Sequence, residues 1–322
     1  MHILTILAEP ELSAFPFERL AEQYDGVTVE KATSIDTAAT RGNAELLLTI
    51  GPVLGTRAAE LFAAMPNLKW IQSIGTGVDN LLGNPALPAH VVVTNARGLH
   101  GDQMSEGVIT AMLALARNLP RALRQQQAAH WQRFAPRLLA GSTVGILGTG
   151  AIAAALAPRL KALGMTVVGI SASPRPLPDF DRVEARDDLA KVAPTLDHLV
   201  LLAPYSPETH HVVSAEVLAA MKPGAFLINY ARGGVVDEAA LLASLDAGSI
   251  AGAALDVFSS EPLESSSPIW RHPRIIVTPH IGGYHAGYPE ALYALVADNV
   301  ARYRKGGVAA LSHRCSQDKS NG

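Results

Sequence analysis

At 322 residues, with 48% hydrophobic and 17% charged side chains, the chain is long enough to bury two cores, and its formal net charge of -3 with scattered basic residues excludes the basic run of a nucleic-acid binder. No window reaches the ~18 apolar residues of a membrane span, and the opening apolar run, residues 3–8, is too short and lacks the basic flank of a signal peptide. Cys315 is the single cysteine, so an intrachain disulfide is impossible and a reducing cytoplasm is the expected setting.

In chain order, short apolar runs at residues 2–7, 46–50, 69–74 and 91–95 end at turn residues, the pattern of buried parallel strands. Helical stretches separate them, so residues 1–99 are expected to form a doubly wound α/β unit of βαβ crossovers. Apolar residues recur at helical spacing over 104–116, Asn118-Leu119-Pro120 breaks the pattern, and a second helix is expected over 121–130. The alternation then restarts, with strands expected at 143–147, 165–170, 198–202, 225–229 and 275–277, giving a second doubly wound unit over residues 100–285. A last helix over 289–303 is expected to return to the first unit, so that 286–322 completes it, and the polar run 312–322 reads as a frayed tail.

The second unit opens with Thr143-Val144-Gly145-Ile146-Leu147-Gly148-Thr149-Gly150-Ala151-Ile152-Ala153, a strand, a glycine turn and a helix start with alanine at the third position of the G-x-G-x-x-G/A pattern. Gly148 allows the tight turn, Gly150 lets backbone approach a pyrophosphate, and the unpaired amides of the helix start face its charge. An acidic residue about twenty positions on would hold the ribose 2′-hydroxyl of NAD. Ser171-Ala172-Ser173-Pro174-Arg175 stands there instead, and two serines with a guanidinium suit a 2′-phosphate, which favours NADP while leaving NAD open.

Three later segments each place an ionisable residue just past an apolar run: Arg232 in Asn229-Tyr230-Ala231-Arg232-Gly233-Gly234, Glu261 before Pro262, and His280 in Thr278-Pro279-His280-Ile281-Gly282-Gly283. In an open α/β sheet, ligands gather outside the carboxyl ends of the strands, where such residues can converge. With Ser73-Ile74-Gly75-Thr76-Gly77-Val78-Asp79, Met221-Lys222-Pro223-Gly224 and Leu255-Asp256-Val257-Phe258, these motifs bracket most of the chain. In their order and spacing the chain resembles the D-isomer-specific 2-hydroxyacid dehydrogenases, which include glyoxylate/hydroxypyruvate reductases and phosphoglycerate dehydrogenases.

The resemblance implies a Rossmann-type cofactor domain inserted in a flavodoxin-like substrate domain, an active site in the cleft between them, and a homodimer. It implies a catalytic set of Arg232, Glu261 and His280, with His280 as the proton donor to the forming alkoxide, Glu261 as its partner and Arg232 gripping the substrate carboxylate. It further implies that Thr76 and Gly77 bind that carboxylate through backbone amides, and that Asp256 faces the nicotinamide amide. The cofactor is expected at Gly148, Gly150, Ala151, Ile152, Ser171, Ser173, Arg175, Pro204, Thr209, Asp256, His280 and Gly282.

The expected activity is hydride transfer between NADP(H) or NAD(H) and a small D-2-hydroxy acid or 2-oxo acid, with glyoxylate or hydroxypyruvate as the substrate. Two alternatives stay open: phosphoglycerate oxidation, and a dinucleotide-sensing, corepressor-like binding protein. His210 and His211 are read as strand neighbours on opposite faces, so no metal is assigned, and His100 is read as an ordinary loop histidine. Tyr284-His285 departs from the small residue and threonine frequent in the family, which leaves the pocket wall and the substrate open.

Overall fold

The computed structural model describes residues 1–6, 15–40, 42–50, 54 and 57–315, so the expected strand end at Leu7 lies outside the described residues. The chain divides into two compact units, one of Met1–His100 with His285–Gly322 and the other of Gly101–Tyr284.

The first unit is built on β1 (His2–Ile6), β2 (Thr28–Ala32), β3 (Leu46–Thr49), β4 (Trp70–Ser73) and β5 (Val92–Thr94), with a short β13 (Arg314–Cys315), in the order β13-β5-β4-β3-β1-β2. β1 to β5 run parallel and only β13 is antiparallel, which is the flavodoxin-like order with one added edge. Every residue of β3 and β4 is buried because both faces of the sheet are covered. Ile3, Leu46, Leu48 and Trp70 meet Leu292, Val296 and Val300 of helix Tyr288–Gly306 on one face, while Leu4, Leu47 and Ile71 meet Leu61 and Phe62 on the other. The alternation is the two-residue period of a strand.

The chain does not fray at residue 312. Asn299 accepts from both the backbone and the hydroxyl of Ser312, and Arg314 and Cys315 pair with Thr94 and Val93. A polar sequence hides this strand because its order comes from main-chain pairing and a buried asparagine rather than from apolar burial.

The second unit is a parallel sheet of β6 (Thr143–Leu147), β7 (Thr166–Ser171), β8 (Arg182–Ala185), β9 (His198–Leu201), β10 (Phe226–Asn229), β11 (Gly252–Leu255) and β12 (Ile275–Val277), in the order β12-β11-β10-β9-β6-β7-β8. Chain order reverses between β6 and β9, the switch point at which Rossmann sheets open a crevice. Helix Leu119–Gln127 starts earlier and ends earlier than expected. Pro120 lies in its first turn, where a missing N–H costs nothing, so the proline opens this helix instead of only closing the one before it. No described helix is long and apolar enough to cross a membrane.

Candidate active site

Arg232, Glu261 and His280 follow β10, β11 and β12, three adjacent parallel strands, so their loops leave the same edge of one sheet. Asn229 closes the first loop: its side-chain oxygen accepts from the Ala231 amide at 3.1 Å and its amide donates to the Arg232 carbonyl at 3.1 Å. Gly233 packs directly on the next loop, since a Cβ there would lie 1.9 Å from the Phe258 carbonyl carbon and 2.1 Å from the Ser259 nitrogen. Backbone thus meets backbone behind Arg232. Its guanidinium donates to the Ala231 carbonyl at 2.7 Å.

Glu261 uses both carboxylate oxygens. Oε1 accepts from the Phe258 amide at 2.8 Å and Oε2 lies 2.6 Å from His280 Nδ1. Burial pushes the Glu261 carboxyl up, but the bond to His280, the His280 charge, the Phe258 amide and the Arg232 charge together hold it below the ordinary carboxylate range. His280 Nε2 has no hydrogen bond among the described residues and is the nitrogen left to serve a ligand. His280 takes a left-handed backbone, φ 54°, fixed by its own amide, which donates to the Asp256 carbonyl at 2.8 Å.

Asp256 organises this loop. Its carboxylate accepts from Thr278 Oγ1 at 2.5 Å, from the Ile281 amide at 3.0 Å and from the Gly282 amide at 2.9 Å. Only 2% of the residue is exposed, and both carboxylate oxygens are spent on this loop. Gly282 has room only without a Cβ, which would stand 2.8 Å from Asp256 Oδ2 and 2.7 Å from the Tyr230 ring.

The glycine turn meets the switch point. Gly148 has φ 94°, and a Cβ on it would lie 2.5 Å from the Ala203 amide nitrogen, so both conformation and space require glycine. Gly150 is the N-cap of helix Ala151–Ala162 and makes no side-chain cap, while a Cβ there would meet nothing within 4 Å. Ala151 and Ile152 open that twelve-residue helix, and Ala153 is buried against the sheet. Uncapped amides beside open space fit a dinucleotide pyrophosphate. Ser171 ends β7, its hydroxyl accepting from the Ser173 amide at 3.2 Å, and Arg175 is exposed with no hydrogen bond or ion pair among the described residues.

Thr209 is 4% exposed and spends its hydroxyl inside its own loop, accepting from the Ser206 amide at 2.8 Å and donating to the Pro204 carbonyl at 2.8 Å. It therefore shapes the loop that exposes Pro204. His210 and His211 lie in a turn rather than a strand, and their rings stack at 3.9 Å instead of pointing apart. Among the described residues no three or more His, Cys, Asp or Glu side chains gather as a metal site would require.

In the first unit, the turn after β4 leaves the amides of Thr76, Gly77 and Val78 without hydrogen bonds among the described residues, an anion-binding nest in outline. His100 is no surface loop histidine. It is 9% exposed and its Nδ1 lies 2.7 Å from Thr76 Oγ1. Asn229, Asp256 in its loop-holding role, Thr278 and His100 are the residues that sequence reading missed; the last three work through hydrogen bonds to segments more than twenty residues away, and Asn229 through bonds inside its own loop.

Comparison with known proteins bears on the whole arrangement. Residues 109–282 match the model of the D-isomer specific 2-hydroxyacid dehydrogenase NAD binding domain. The D-3-phosphoglycerate dehydrogenase of Methanocaldococcus jannaschii is 34% identical over 75% of this chain, and the match spans 47% of that protein, so the chain covers about half the length of this relative. A D-isomer specific 2-hydroxyacid dehydrogenase family protein from Aeromonas salmonicida has a TM-score of 0.86 at 33% identity, covering 98% of this chain and 99% of that one. An NADPH-dependent glyoxylate/hydroxypyruvate reductase from Sinorhizobium meliloti, solved with NADP and sulfate, has a TM-score of 0.83 at 28% identity, covering 98% of both chains. The chain belongs to the D-isomer specific 2-hydroxyacid dehydrogenase family.

Proposed function

We propose that the protein reduces a small 2-oxo acid to its D-2-hydroxy acid with a reduced nicotinamide dinucleotide, and that Arg232, Glu261 and His280 carry the chemistry. The observation behind this is the 2.6 Å contact of His280 Nδ1 with Glu261 Oε2, which leaves Nε2 free to give a proton. When bound, the cofactor supplies a hydride to the carbon of the oxo group. His280 donates the proton from Nε2 to the forming alkoxide, and Glu261 stabilises the resulting charge distribution by holding the ring on its other nitrogen. Arg232 pairs with the substrate carboxylate and polarises the oxo group, and the Thr76 and Gly77 amides receive the same carboxylate. Glyoxylate and hydroxypyruvate are the first substrates to try, in view of the Sinorhizobium meliloti reductase.

NADPH is the favoured reductant. The exposed Arg175 beside Ser171 and Ser173 can pair with a 2′-phosphate, and residues 171–178 hold no carboxylate to repel one. Loss of absorbance at the reduced-nicotinamide band, followed with NADPH and NADH over a panel of short 2-oxo acids, tests the whole reading. Turnover should appear with higher kcat/KM for NADPH, and Arg175→Ala should remove most of that preference. No turnover with either cofactor defeats the proposal, and a strong NADH preference defeats the cofactor assignment. His280→Gln should lower turnover by roughly two to four orders of magnitude.

A homodimer is the proposed assembly. Trp131 is 88% exposed, and Leu119, Leu123 and Leu138 lie exposed in the same stretch of chain, an apolar surface that a second copy would cover. Light scattering on the parent and on Trp131→Asp decides it, with a shift toward monomer expected. A cytoplasmic location is the companion proposal, consistent with one cysteine, and cell fractionation tests it.

A further inference from the structure

A cavity of about 260 Å³ opens at the amino edge of the second unit's sheet, with Arg137, Ser142, Asp197, His198, Gly224 and Phe226 in its lining. Ser142 directly precedes β6, Asp197 directly precedes β9, and Gly224 stands just before β10, whereas Arg232, Glu261 and His280 follow the carboxyl ends of β10, β11 and β12. The length of a four-residue strand, roughly 13 Å, separates the two edges. Nothing in the proposed chemistry uses the amino edge.

His198, the first residue of β9, is 3% exposed, and its Nδ1 is sealed from solvent without a hydrogen bond. Nε2 makes none either among the described residues but is not sealed, so it is the ring nitrogen that a molecule in the cavity can reach. Burial holds the imidazole down to about 4, with the Arg137 charge acting in the same direction against that of Asp197, so the ring is neutral near pH 7. A neutral imidazole carries one N–H and one lone pair. A hydroxyl, which both donates and accepts, matches Nε2 in either tautomer.

The charges around the cavity do not cancel. Asp197 spends Oδ1 on Lys222 Nζ at 2.8 Å and Oδ2 on the Thr143 amide at 2.9 Å. Arg137 has no carboxylate partner among the described residues: Nη1 donates to the Gly224 carbonyl, which leaves Nε and Nη2 to donate elsewhere. The Ala140 amide in the same wall has no hydrogen bond among the described residues. Imidazole and guanidinium both flank the Phe226 ring, the first at 5.4 Å and the second at 5.5 Å from its centroid. An unpaired guanidinium fork suits a carboxylate.

We propose that this cavity is a binding site for a small hydroxycarboxylate, with its carboxylate on Arg137 and its hydroxyl on His198 Nε2. The volume of about 260 Å³ is that of roughly nine waters at ~30 Å³ each, room for an acid of a few carbons. The site goes beyond the proposed chemistry and does not depend on it.

The test is a titration with D-glycerate of protein carrying isotope-labelled histidine, followed by NMR. The His198 signal, assigned by its contact with the Phe226 ring and by its loss in His198→Gln, should shift saturably, while the His280 signal reports the active site in the same titration. Arg137→Ala, at an exposed residue, should weaken the binding read at His198 about tenfold and leave that read at His280 within about twofold. Propionate, which lacks the hydroxyl, should bind at His198 about tenfold more weakly than D-glycerate. A His198 signal that stays still, or that moves along the His280 curve and ignores Arg137→Ala, overturns the site. Equal affinity for propionate and D-glycerate shows an adventitious anion only and overturns it too. Leu138 on the rim also belongs to the surface assigned to a second copy, so Trp131→Asp is titrated beside the parent. Binding in that variant alone means that the partner fills the cavity, and overturns the proposal; binding in both supports it.

Discussion

Replacing Glu261 by glutamine isolates the electrostatic part of the His280 pair, because shape is kept and one charge is lost. In the structure the carboxylate touches His280 Nδ1 at 2.6 Å and is anchored from behind by the Phe258 amide at 2.8 Å. A charge-assisted hydrogen bond of this kind is worth about 1.5–3 kcal/mol. The His280 side chain is 48% exposed and that of Glu261 34%, so solvent screening brings the value to the low end, about 1.5 kcal/mol, or roughly tenfold in rate.

Glutamine keeps a hydrogen-bond partner for Nδ1 but removes the charge, so Glu261→Gln should lower kcat/KM for 2-oxo acid reduction roughly tenfold. Stability gives a second readout. The Glu261 carboxyl lies below its ordinary value of 4.5, so the pair stabilises the fold above that pH and loses the contribution as pH falls through the folded-state value. The Tm gap between parent and variant should be present at neutral pH and close in acid. Equal kcat/KM for parent and variant would refute the assignment of Glu261 as the partner that His280 needs for turnover.

Arg232→Lys keeps the charge and loses the guanidinium fork, so kcat/KM should fall by roughly 30- to 100-fold while dinucleotide affinity, measured by calorimetry, stays within about twofold. Gly148→Ala sets a Cβ 2.5 Å from the Ala203 nitrogen at φ 94°, a clash between two backbones, and should cost about 1–3 kcal/mol in urea unfolding and weaken the dinucleotide. Asp256→Asn sets a donor against the Gly282 amide or against Thr278 and the Ile281 amide. That variant should lose about 1–3 kcal/mol of stability. Its kcat should fall more than its cofactor affinity, as expected for a residue that holds the His280 loop.

The strands that carry the site were legible because they are buried on both faces. Val144, Ile146 and Leu147 of β6 or Leu199, Val200 and Leu201 of β9 can only belong to a parallel sheet with helices on either side. β2 and β8 were not, since Thr28-Val29-Glu30-Lys31-Ala32 and Arg182-Val183-Glu184-Ala185 are edge strands in which only Ala32 is buried. β11 failed for the opposite reason: Gly252-Ala253-Ala254-Leu255 is fully buried but too small in side chain to announce itself. Gly252 is small because a Cβ would come 2.9 Å from the Arg274 carbonyl oxygen. The ionisable residues of the site could be read from their glycine- and proline-rich settings, whereas His100 could not, because its meaning depends on Thr76, twenty-four positions away.

The same glycines explain why the site geometry belongs to the backbone rather than to its side chains. Gly233 lets the Arg232 loop rest on Phe258 and Ser259, and Gly282 lets the His280 loop rest on Tyr230 and Asp256, so each of the three loops is wedged against another strand exit. Asn229 and Asp256 then consume the amides that would otherwise pull these loops toward solvent. A constellation built this way is ordered before any ligand arrives. Loosening either wedge should therefore lower turnover even with Arg232, Glu261 and His280 all present. Gly233→Ala, whose Cβ would fall 1.9 Å from the Phe258 carbonyl carbon, is the sharpest case of that loss.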